Sequence, residues 1–249
     1  MKPINEKKQI QIREEWDNIS KIRYNQIIDG KDISYRYVIL PCVLDLAKKS
    51  NFSKVIDIGC GTGVLTSMLA KRSNKVLAID ISPKSIEITK SHCKKQKNIL
   101  FNTISIEDYA FKCKSQTFTL AIANMTIMTC LNLFSFLKAI EKLLIKGGTF
   151  IMTGIHPCFW PQYWGYDKAK WFDYKKEIII EAPFRISKDI TEYKTTHIHR
   201  PLDMYINMLI RCGFIINKII EPIPNNNIQK LYPNIWKFPR FIGIRCIKK

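Results

Sequence analysis

The sequence lacks any apolar run that approaches the ~18 residues needed to cross a bilayer. It also has no apolar stretch behind its first charged residues, so we expect no secretory signal and a polar, frayed N-terminus. Its eight cysteines include no CxxC pair and are irregularly spaced, which argues against a zinc site. We therefore expect reduced thiols, no bound metal, no membrane contact and a cytoplasmic protein.

Acidic residues are scarce. The 249 residues include 21 Asp and Glu against 40 Lys and Arg, which gives a formal net charge of +19. Such an excess is compatible with a nucleic-acid or membrane partner. The basic residues are nevertheless scattered, and the one tight cluster, Lys94, Lys95 and Lys97, falls at the end of a predicted helix. The charge alone therefore does not assign a partner.

Strands and helices alternate along the chain. Hydrophobic residues make up 46% of the sequence, enough for a packed core. Strands are predicted at 54–58, 75–81, 98–104, 117–125, 149–155, 214–220 and 240–247, and helices at 35–48, from Val64, at 82–95, 133–144 and 202–211. This order predicts a parallel sheet with helices on both faces. We divide the chain into an N-terminal helical cap (1–50), a core (51–155), an aromatic insertion (156–200) and the rest of the core (201–249).

The segment VIDIGCGTG is the most informative stretch. It ends the first predicted strand in a turn that contains Gly59, Gly61 and Gly63. Glycines allow positive φ and let a ligand approach the backbone at the carboxyl edge of a sheet. The spacing is G-x-G-x-G, not the G-x-G-x-x-G of dinucleotide enzymes. Asp57 precedes the turn, where an acid suits a cationic ligand better than a pyrophosphate. Asp80 ends the next strand, where it can accept hydrogen bonds from a ribose.

Taken together, these motifs resemble the class I S-adenosylmethionine-dependent methyltransferases. The resemblance rests on VIDIGCGTG, LAIDIS (77–82), SIEDYAF (105–111), FTLAIANMTIM (118–128) and LLIKGGTFIMTGIHP (143–157). It implies an α/β fold with a doubly wound, seven-stranded, mostly parallel sheet, an N-terminal helical cap and an insertion after the fifth strand. It implies S-adenosylmethionine as cofactor and S-adenosylhomocysteine as product.

The resemblance also implies which residues bind the cofactor. Asp57 and the turn of Gly59, Cys60, Gly61 and Gly63 would surround its methionine part. Asp80 would bind both ribose hydroxyls and Ile81 would pack on adenine. Further positions complete the implied site: Glu107 and Asp108 at the adenine edge, Asn124 and Met125 at the sulfonium, and Tyr24, Tyr35 and Arg36 in the cap, with Arg36 pairing with the cofactor carboxylate.

The acceptor side has weaker signals. HPCFWP (156–161), IHRPLDMYINMLIRCGF (198–214) and PRFIGIRCIKK (239–249) resemble one subgroup of small methyltransferases, which implies a small-molecule acceptor. His156, at the end of the fifth strand, is our candidate general base, with His199 a second candidate. The residues expected to wall the acceptor are Trp160, Tyr163, Trp164, Trp171, Phe172 and Arg200.

Three functions remain open at this stage. The first is methylation of an O or N atom of a small molecule by in-line displacement, in which the protein mainly aligns the reactants. The second is methylation of tRNA or rRNA, which Lys168, Lys170, Lys175 and Lys176 would favour if they ring the site. The third is a non-catalytic protein that binds the cofactor and activates a partner.

Overall fold

The computed structural model describes residues 1–113, 116–187 and 189–249. Its helices are α1 (Gln9–Ile28), α2 (Leu40–Ala47), α3 (Val64–Ala70), α4 (Pro83–His92), α5 (Ile106–Lys112), α6 (Leu133–Leu143), α7 (Trp160–Trp164), α8 (Leu202–Arg211) and α9 (Asn226–Gln229). Its strands are β1 (Lys2–Ile4), β2 (Lys54–Ile58), β3 (Lys75–Asp80), β4 (Ile99–Thr103), β5 (Phe118–Asn124), β6 (Leu144–Ile155), β7 (Ile178–Ile186), β8 (Asp189–His199), β9 (Phe214–Ile220) and β10 (Phe241–Lys248). Single turns of π-helix and 3₁₀-helix occur at Tyr35–Ile39 and Ile127–Thr129.

Seven strands form one sheet in the order β4-β3-β2-β5-β6-β10-β9. The pairs from β4 to β6 are parallel, and β10 runs antiparallel to both of its neighbours. Apolar side chains from α2, α3 and α4 cover one face, and those from α5, α6 and α8 cover the other. The predicted doubly wound, mostly parallel sheet of seven strands is confirmed.

The start of α4 agrees with the prediction for a local reason. The Ser82 hydroxyl accepts a hydrogen bond from Ser85 N at 3.0 Å and begins α4, with Pro83 in its first turn. Helix α6 ends at Leu143, one residue before its predicted end. Gly147 and Gly148 lie within β6, which begins at Leu144, five residues before the predicted start of that strand.

The predicted frayed N-terminus is also wrong. Residues Lys2–Ile4 form β1, which pairs with β7, and α1 follows as the longest described helix. Polar side chains hold this segment: Glu15 accepts hydrogen bonds from the backbone N and hydroxyl of Thr196, both at 2.9 Å. Lys7 forms ion pairs with Glu15 and Glu181. The polar side chains of this segment thus form tertiary contacts.

The insertion, in which the sequence shows no regular pattern, forms a second sheet. Strands β7 and β8 make an antiparallel hairpin, and β1 adds to its edge in the order β1-β7-β8. Helix α1 packs against both β8 and α4. The N-terminal segment and the insertion therefore lie together over the carboxyl edge of the main sheet.

Candidate active site

A cavity of about 430 Å³ lies at the carboxyl edge of the main sheet. Most of the residues predicted to bind the cofactor line it: Asp57, Gly59, Cys60, Gly61, Asp80, Ile81, Glu107, Asp108, Asn124 and Met125. They come from the ends of β2, β3 and β5, from the turns that follow these strands, and from the first turn of α5. We call this space the first cavity. The sequence motifs, which are far apart along the chain, thus meet at one place.

The glycine turn has two packed positions and one open position. All three glycines have positive φ: +66° at Gly59, +56° at Gly61 and +82° at Gly63. A Cβ on Gly59 would lie 2.4 Å from Thr126 Oγ1, and one on Gly63 would lie 2.6 Å from Thr89 Cγ2. A Cβ on Gly61 would have no atom of the described residues within 4 Å. Gly59 and Gly63 are therefore needed for packing, whereas Gly61 leaves backbone accessible from the cavity.

Two carboxyl groups face the first cavity: Asp57, which is buried, and Asp80, which is half-buried. Asp57 is 1% exposed, and its Oδ2 accepts a hydrogen bond from Thr66 Oγ1 at 2.6 Å. Burial raises the pKa of Asp57 to about 7 and that of Asp80 to about 6. The raised pKa values reflect the loss of water around the two carboxylates. A cationic or hydroxyl-bearing ligand would compensate for this loss.

Backbone hydrogen bonds hold the Asp80 carboxylate in place. Its Oδ2 accepts from Gly61 N, and its Oδ1 accepts from Ser82 N, both at 2.9 Å. One lone pair on each oxygen remains available at the cavity. This geometry fits a ribose diol, with one hydroxyl donating to each oxygen.

The end of β5 forms another wall. Asn124 Oδ1 accepts a hydrogen bond from Thr153 Oγ1 at 2.7 Å. Met125 has φ +56°, a left-handed conformation that is strained for a residue other than glycine. Its amide donates to Thr153 O and Thr153 Oγ1, both at 3.1 Å, so β6 stabilises this conformation. The strained backbone lies where the sulfonium is expected.

At the predicted adenine edge, Asp108 and Glu107 differ. The Ser105 hydroxyl caps α5 by accepting from Asp108 N at 3.0 Å and donates to Asp108 Oδ2 at 2.8 Å. Asp108 therefore uses its side chain largely for the cap. Burial raises the pKa of Glu107, although hydrogen bonds to its own backbone and to Ser105 act in the opposite direction. Glu107 is the less exposed of the two acids at the cavity.

One face of α1 closes the first cavity, a feature that the sequence reasoning missed. The residues of α1 that line it are Gln9, Ile12, Trp16, Ser20, Arg23 and Ile27. Their steps of three and four residues place them on a single helical face. That spacing is visible in the sequence, but charged residues between these positions hide it from a search for hydrophobic periodicity.

Three predicted cofactor residues lie outside this lining. Gly63 packs against Thr89. The Tyr24 hydroxyl is 3.1 Å from His92 Nδ1 on α4, and Arg36 is exposed with its guanidinium over Tyr37. Arg23 is the arginine that faces the cavity, whereas Tyr35, also expected in the cap, does line it.

A second cavity of about 150 Å³ adjoins the first and shares Trp16, Arg23, Met125 and Thr129 with it. The insertion and β10 supply most of its other walls, including Trp160, Tyr163, Trp164, Phe184, Arg185, His197, Arg240 and Phe241. Burial lowers the pKa of His197 to about 3, so its ring is neutral at pH 7. Among the histidines of the insertion, His197 lines this cavity.

The two histidines predicted to be catalytic line neither cavity. Cys158 N donates to His156 Nδ1 at 3.2 Å, and His156 Nε2 lies 2.6 Å from Glu221 Oε1. His199 Nε2 bonds to the carbonyl of Tyr174 at 3.0 Å. Both imidazoles are buried and engaged in structural hydrogen bonds, so this geometry gives no support to a role as general base.

Three other predicted acceptor residues, Trp171, Phe172 and Arg200, line neither cavity. Trp171 stacks on Tyr166, with ring centroids 5.5 Å apart. Arg200 is 1% exposed and donates to the carbonyls of Cys130 at 2.8 Å and Leu131 at 3.3 Å. Leu131 and Cys130 line the first cavity. Arg200 therefore shapes the loop after β5 from behind.

Within the described ranges, no group of three His, Cys, Asp or Glu side chains could hold a metal ion. The eight cysteines are all free thiols. No helix in this part of the chain combines the length and apolar character that a membrane crossing requires. Lys168, Lys170, Lys175 and Lys176 are exposed and line neither cavity.

Comparison with known proteins places this site in a family. A family described as a methyltransferase domain matches residues 49–200, more than half of the chain. The chain therefore belongs to that family, and the predicted membership of the class I S-adenosylmethionine-dependent methyltransferases is confirmed. S-adenosylmethionine is the cofactor of this class, and the carboxyl groups and open glycine of the first cavity fit it.

Individual relatives differ in acceptor. The chain is 33% identical over 164 residues to a ubiquinone biosynthesis O-methyltransferase of Pelagibacter ubique, across 61% of this chain and 66% of the relative. It is 34% identical over 104 residues to a tRNA/tmRNA (uracil-C(5))-methyltransferase of Campylobacter lari, across 41% of this chain and 28% of the relative. The match thus spans less than two thirds of either curated relative.

A solved structure gives the same fold. It is a putative S-adenosylmethionine-dependent methyltransferase from Listeria monocytogenes, with a TM-score of 0.66 and 22% identity, across 84% of this chain and 99% of that one. At this identity the likeness concerns the fold, which the seven-stranded sheet already defines.

Proposed function

We propose that this protein transfers a methyl group from S-adenosylmethionine to an O or N atom of a small-molecule acceptor. The observation that carries the proposal is the junction of two cavities. One is lined by carboxyl groups at the sheet edge, and the smaller one is walled by aromatic rings. They meet at Met125 and Thr129, next to the end of β5.

The residues of the first cavity would hold the cofactor. Asp80 would accept from the ribose hydroxyls, and Gly61 would let the methionine part approach the backbone. Asp57 would balance the positive charge at that end of the ligand. S-adenosylmethionine supplies an activated methyl group, so the chain mainly has to align it with the acceptor and exclude water.

The second cavity favours a small molecule over RNA. Its volume of about 150 Å³ suits one ring, and α1 and the β7–β8 hairpin cover it. The exposed lysines of the insertion do not line it. Phosphate binding by RNA would instead require basic side chains gathered around an open mouth.

Transfer of tritium from labelled S-adenosylmethionine tests the proposal. The purified protein is incubated in parallel with a metabolite extract and with total RNA, and Asp80→Asn is the control. We expect label in the small-molecule fraction only, lost in the variant. Label in RNA alone would assign the RNA function, and tight binding of S-adenosylhomocysteine without any transfer would favour the non-catalytic one.

A further inference from the structure

We infer that the methyl acceptor carries a carboxylate on a planar ring, and that Arg185 and Arg240 bind this carboxylate in the second cavity. The inference rests on the proposed function, because it assigns the second cavity to the acceptor. It concerns the chemical class of the molecule, which the family does not specify.

The charges that line the second cavity do not cancel. Among the described residues, Asp32 is the one carboxylate that lines it. Asp32 forms an ion pair with Arg23 at 2.6 Å and accepts a hydrogen bond from Tyr35 N at 2.9 Å. Within residues 1–113, 116–187 and 189–249, neither Arg185 nor Arg240 forms an ion pair. Two positive charges therefore remain without a carboxylate.

Aromatic rings hold both guanidinium groups. The Cζ of Arg185 is 4.3 Å from the ring centroid of Trp164. That of Arg240 is 3.8 Å from the ring centroid of Tyr163 and 4.1 Å from that of Trp236. Stacking fixes the planes of these groups, and Arg240 also forms a side-chain hydrogen bond with Tyr163. Their remaining edge donors match a carboxylate in a bidentate arrangement.

Other donors in the same cavity also lack acceptors. Among the described residues, Nε1 of Trp160, Nε1 of Trp164 and Nε of Arg185 are buried and have no hydrogen-bond partner. All three are donors without an acceptor, so the walls of this cavity favour an anionic group with several lone pairs over a group rich in donors. Arg240 is only 8% exposed, and burial lowers its pKa, so an anion there would also offset unfavourable desolvation.

The shape of the cavity selects the rest of the molecule. A volume of about 150 Å³ accommodates a single benzene-sized ring. Trp160 and Phe184 offer flat apolar surfaces for it. With the carboxylate at the two arginines, the far side of the ring would lie at the shared wall of Met125 and Thr129. An O or N substituent there would be next to the expected methyl group.

The test compares two probes that differ in charge but hardly in shape. Binding of 4-hydroxybenzoate and of 4-hydroxybenzyl alcohol is measured by calorimetry on the full chain saturated with S-adenosylhomocysteine. We expect the acid to bind at least tenfold more tightly. In Arg185→Gln this preference should fall below threefold, with the dissociation constant of S-adenosylhomocysteine unchanged.

Arg72→Gln is the matched control, because Arg72 also stacks on an aromatic ring, Phe52, at 4.7 Å but lines neither cavity. It should keep the full preference for the acid. Arg240→Gln repeats the test at the second arginine. If the protein with this change at a buried position does not fold, Arg185→Gln alone provides the test.

The results separate the two proposals. Failure to bind S-adenosylhomocysteine would refute the proposed function itself. If S-adenosylhomocysteine binds normally, three results would refute this inference and leave the proposed function standing. The acid would bind no better than the alcohol, neither probe would bind at millimolar concentration, or Arg185→Gln would keep the preference for the acid. Phenyl phosphate binding tenfold more tightly than the acid would assign a phosphate, not a carboxylate, to the arginines.

Discussion

The two cavities are built in opposite ways. The first is formed largely by backbone turns at the ends of β2, β3, β4 and β5, and its buried charges are acidic. The second is formed largely by side chains of the insertion and of β10, and its charges are mainly basic. The net charge of +19 therefore says little about the cofactor end. At the acceptor end, the excess of basic residues is represented by the three arginines that line the second cavity, Arg23, Arg185 and Arg240.

A pair of glycine variants should give the largest effects and separate packing from binding at the first cavity. Gly59→Ala combines a positive φ with a Cβ 2.4 Å from Thr126 Oγ1. It should lower the free energy of unfolding by about 2–5 kcal/mol. Gly61→Ala meets no described atom within 4 Å and should cost about 1–2 kcal/mol, from backbone strain alone.

Denaturant unfolding measures both stabilities, and calorimetry measures S-adenosylhomocysteine binding. Gly61→Ala should weaken binding despite its smaller effect on stability, because its methyl group projects toward the cavity. Equal losses of stability in the two variants would show that the turn does not distinguish a packed position from an open one.

Asp80→Asn should affect the first cavity and leave the second unchanged. The amide presents only one acceptor oxygen and no charge, so at least one charge-assisted hydrogen bond to the ribose is lost. Each is worth about 1.5–3 kcal/mol, so we expect binding of S-adenosylhomocysteine to weaken by about 10- to 100-fold. The protein should keep the acid preference of the second cavity when the cofactor product is supplied at saturating concentration. A loss of that preference would mean that the two cavities are not independent.

Cofactor affinity should depend on pH. The pKa values of about 7 for Asp57 and about 6 for Asp80 mean that the free protein takes up protons as pH falls through 7 to 5. The ligand requires both carboxylates in their charged form, so we expect affinity to fall by about 100-fold, or about 2.7 kcal/mol, between pH 7.5 and 5.5. Calorimetry in buffers of different ionisation enthalpy should show proton release on binding near pH 6.

The same two carboxyl groups also determine how the stability of the ligand-free protein changes with pH. Both pKa values lie above those of unfolded chains, so the folded protein binds more protons than the unfolded one between about pH 4 and 7. Their contribution to the stability of the ligand-free protein is therefore lost as pH rises through that window. Saturation with cofactor should flatten this dependence, and an unchanged slope would contradict the assignment of these carboxyls to the ligand.

The sequence predicts the glycine turn and the two aspartates of the first cavity because the geometry of this part is local. A strand, a glycine turn and a helix follow one another within residues 54–70, and Asp57 and Asp80 each end a strand. The acceptor side has no such unit. Trp160, Arg185 and Arg240 meet only through the β7–β8 hairpin and β10, and no spacing in the sequence reveals that contact. His156 ends a strand as predicted, but Cys158 and Glu221 engage its ring.

The smallest expected effect tests the unpartnered donors of the second cavity. Trp164→Phe keeps an aromatic ring beneath Arg185 but removes an indole N–H that has no hydrogen-bond partner in the described structure. Because no bond is broken, the free energy of unfolding should change by less than about 1 kcal/mol. Binding of 4-hydroxybenzoate should weaken by about 1 kcal/mol, a few-fold change, because the carboxylate loses one donor. Trp171→Phe is the control, since Trp171 stacks on Tyr166 and lines neither cavity. If both variants weakened the acid equally, a general loosening of the insertion would explain the effect, and the indole N–H would have no direct role.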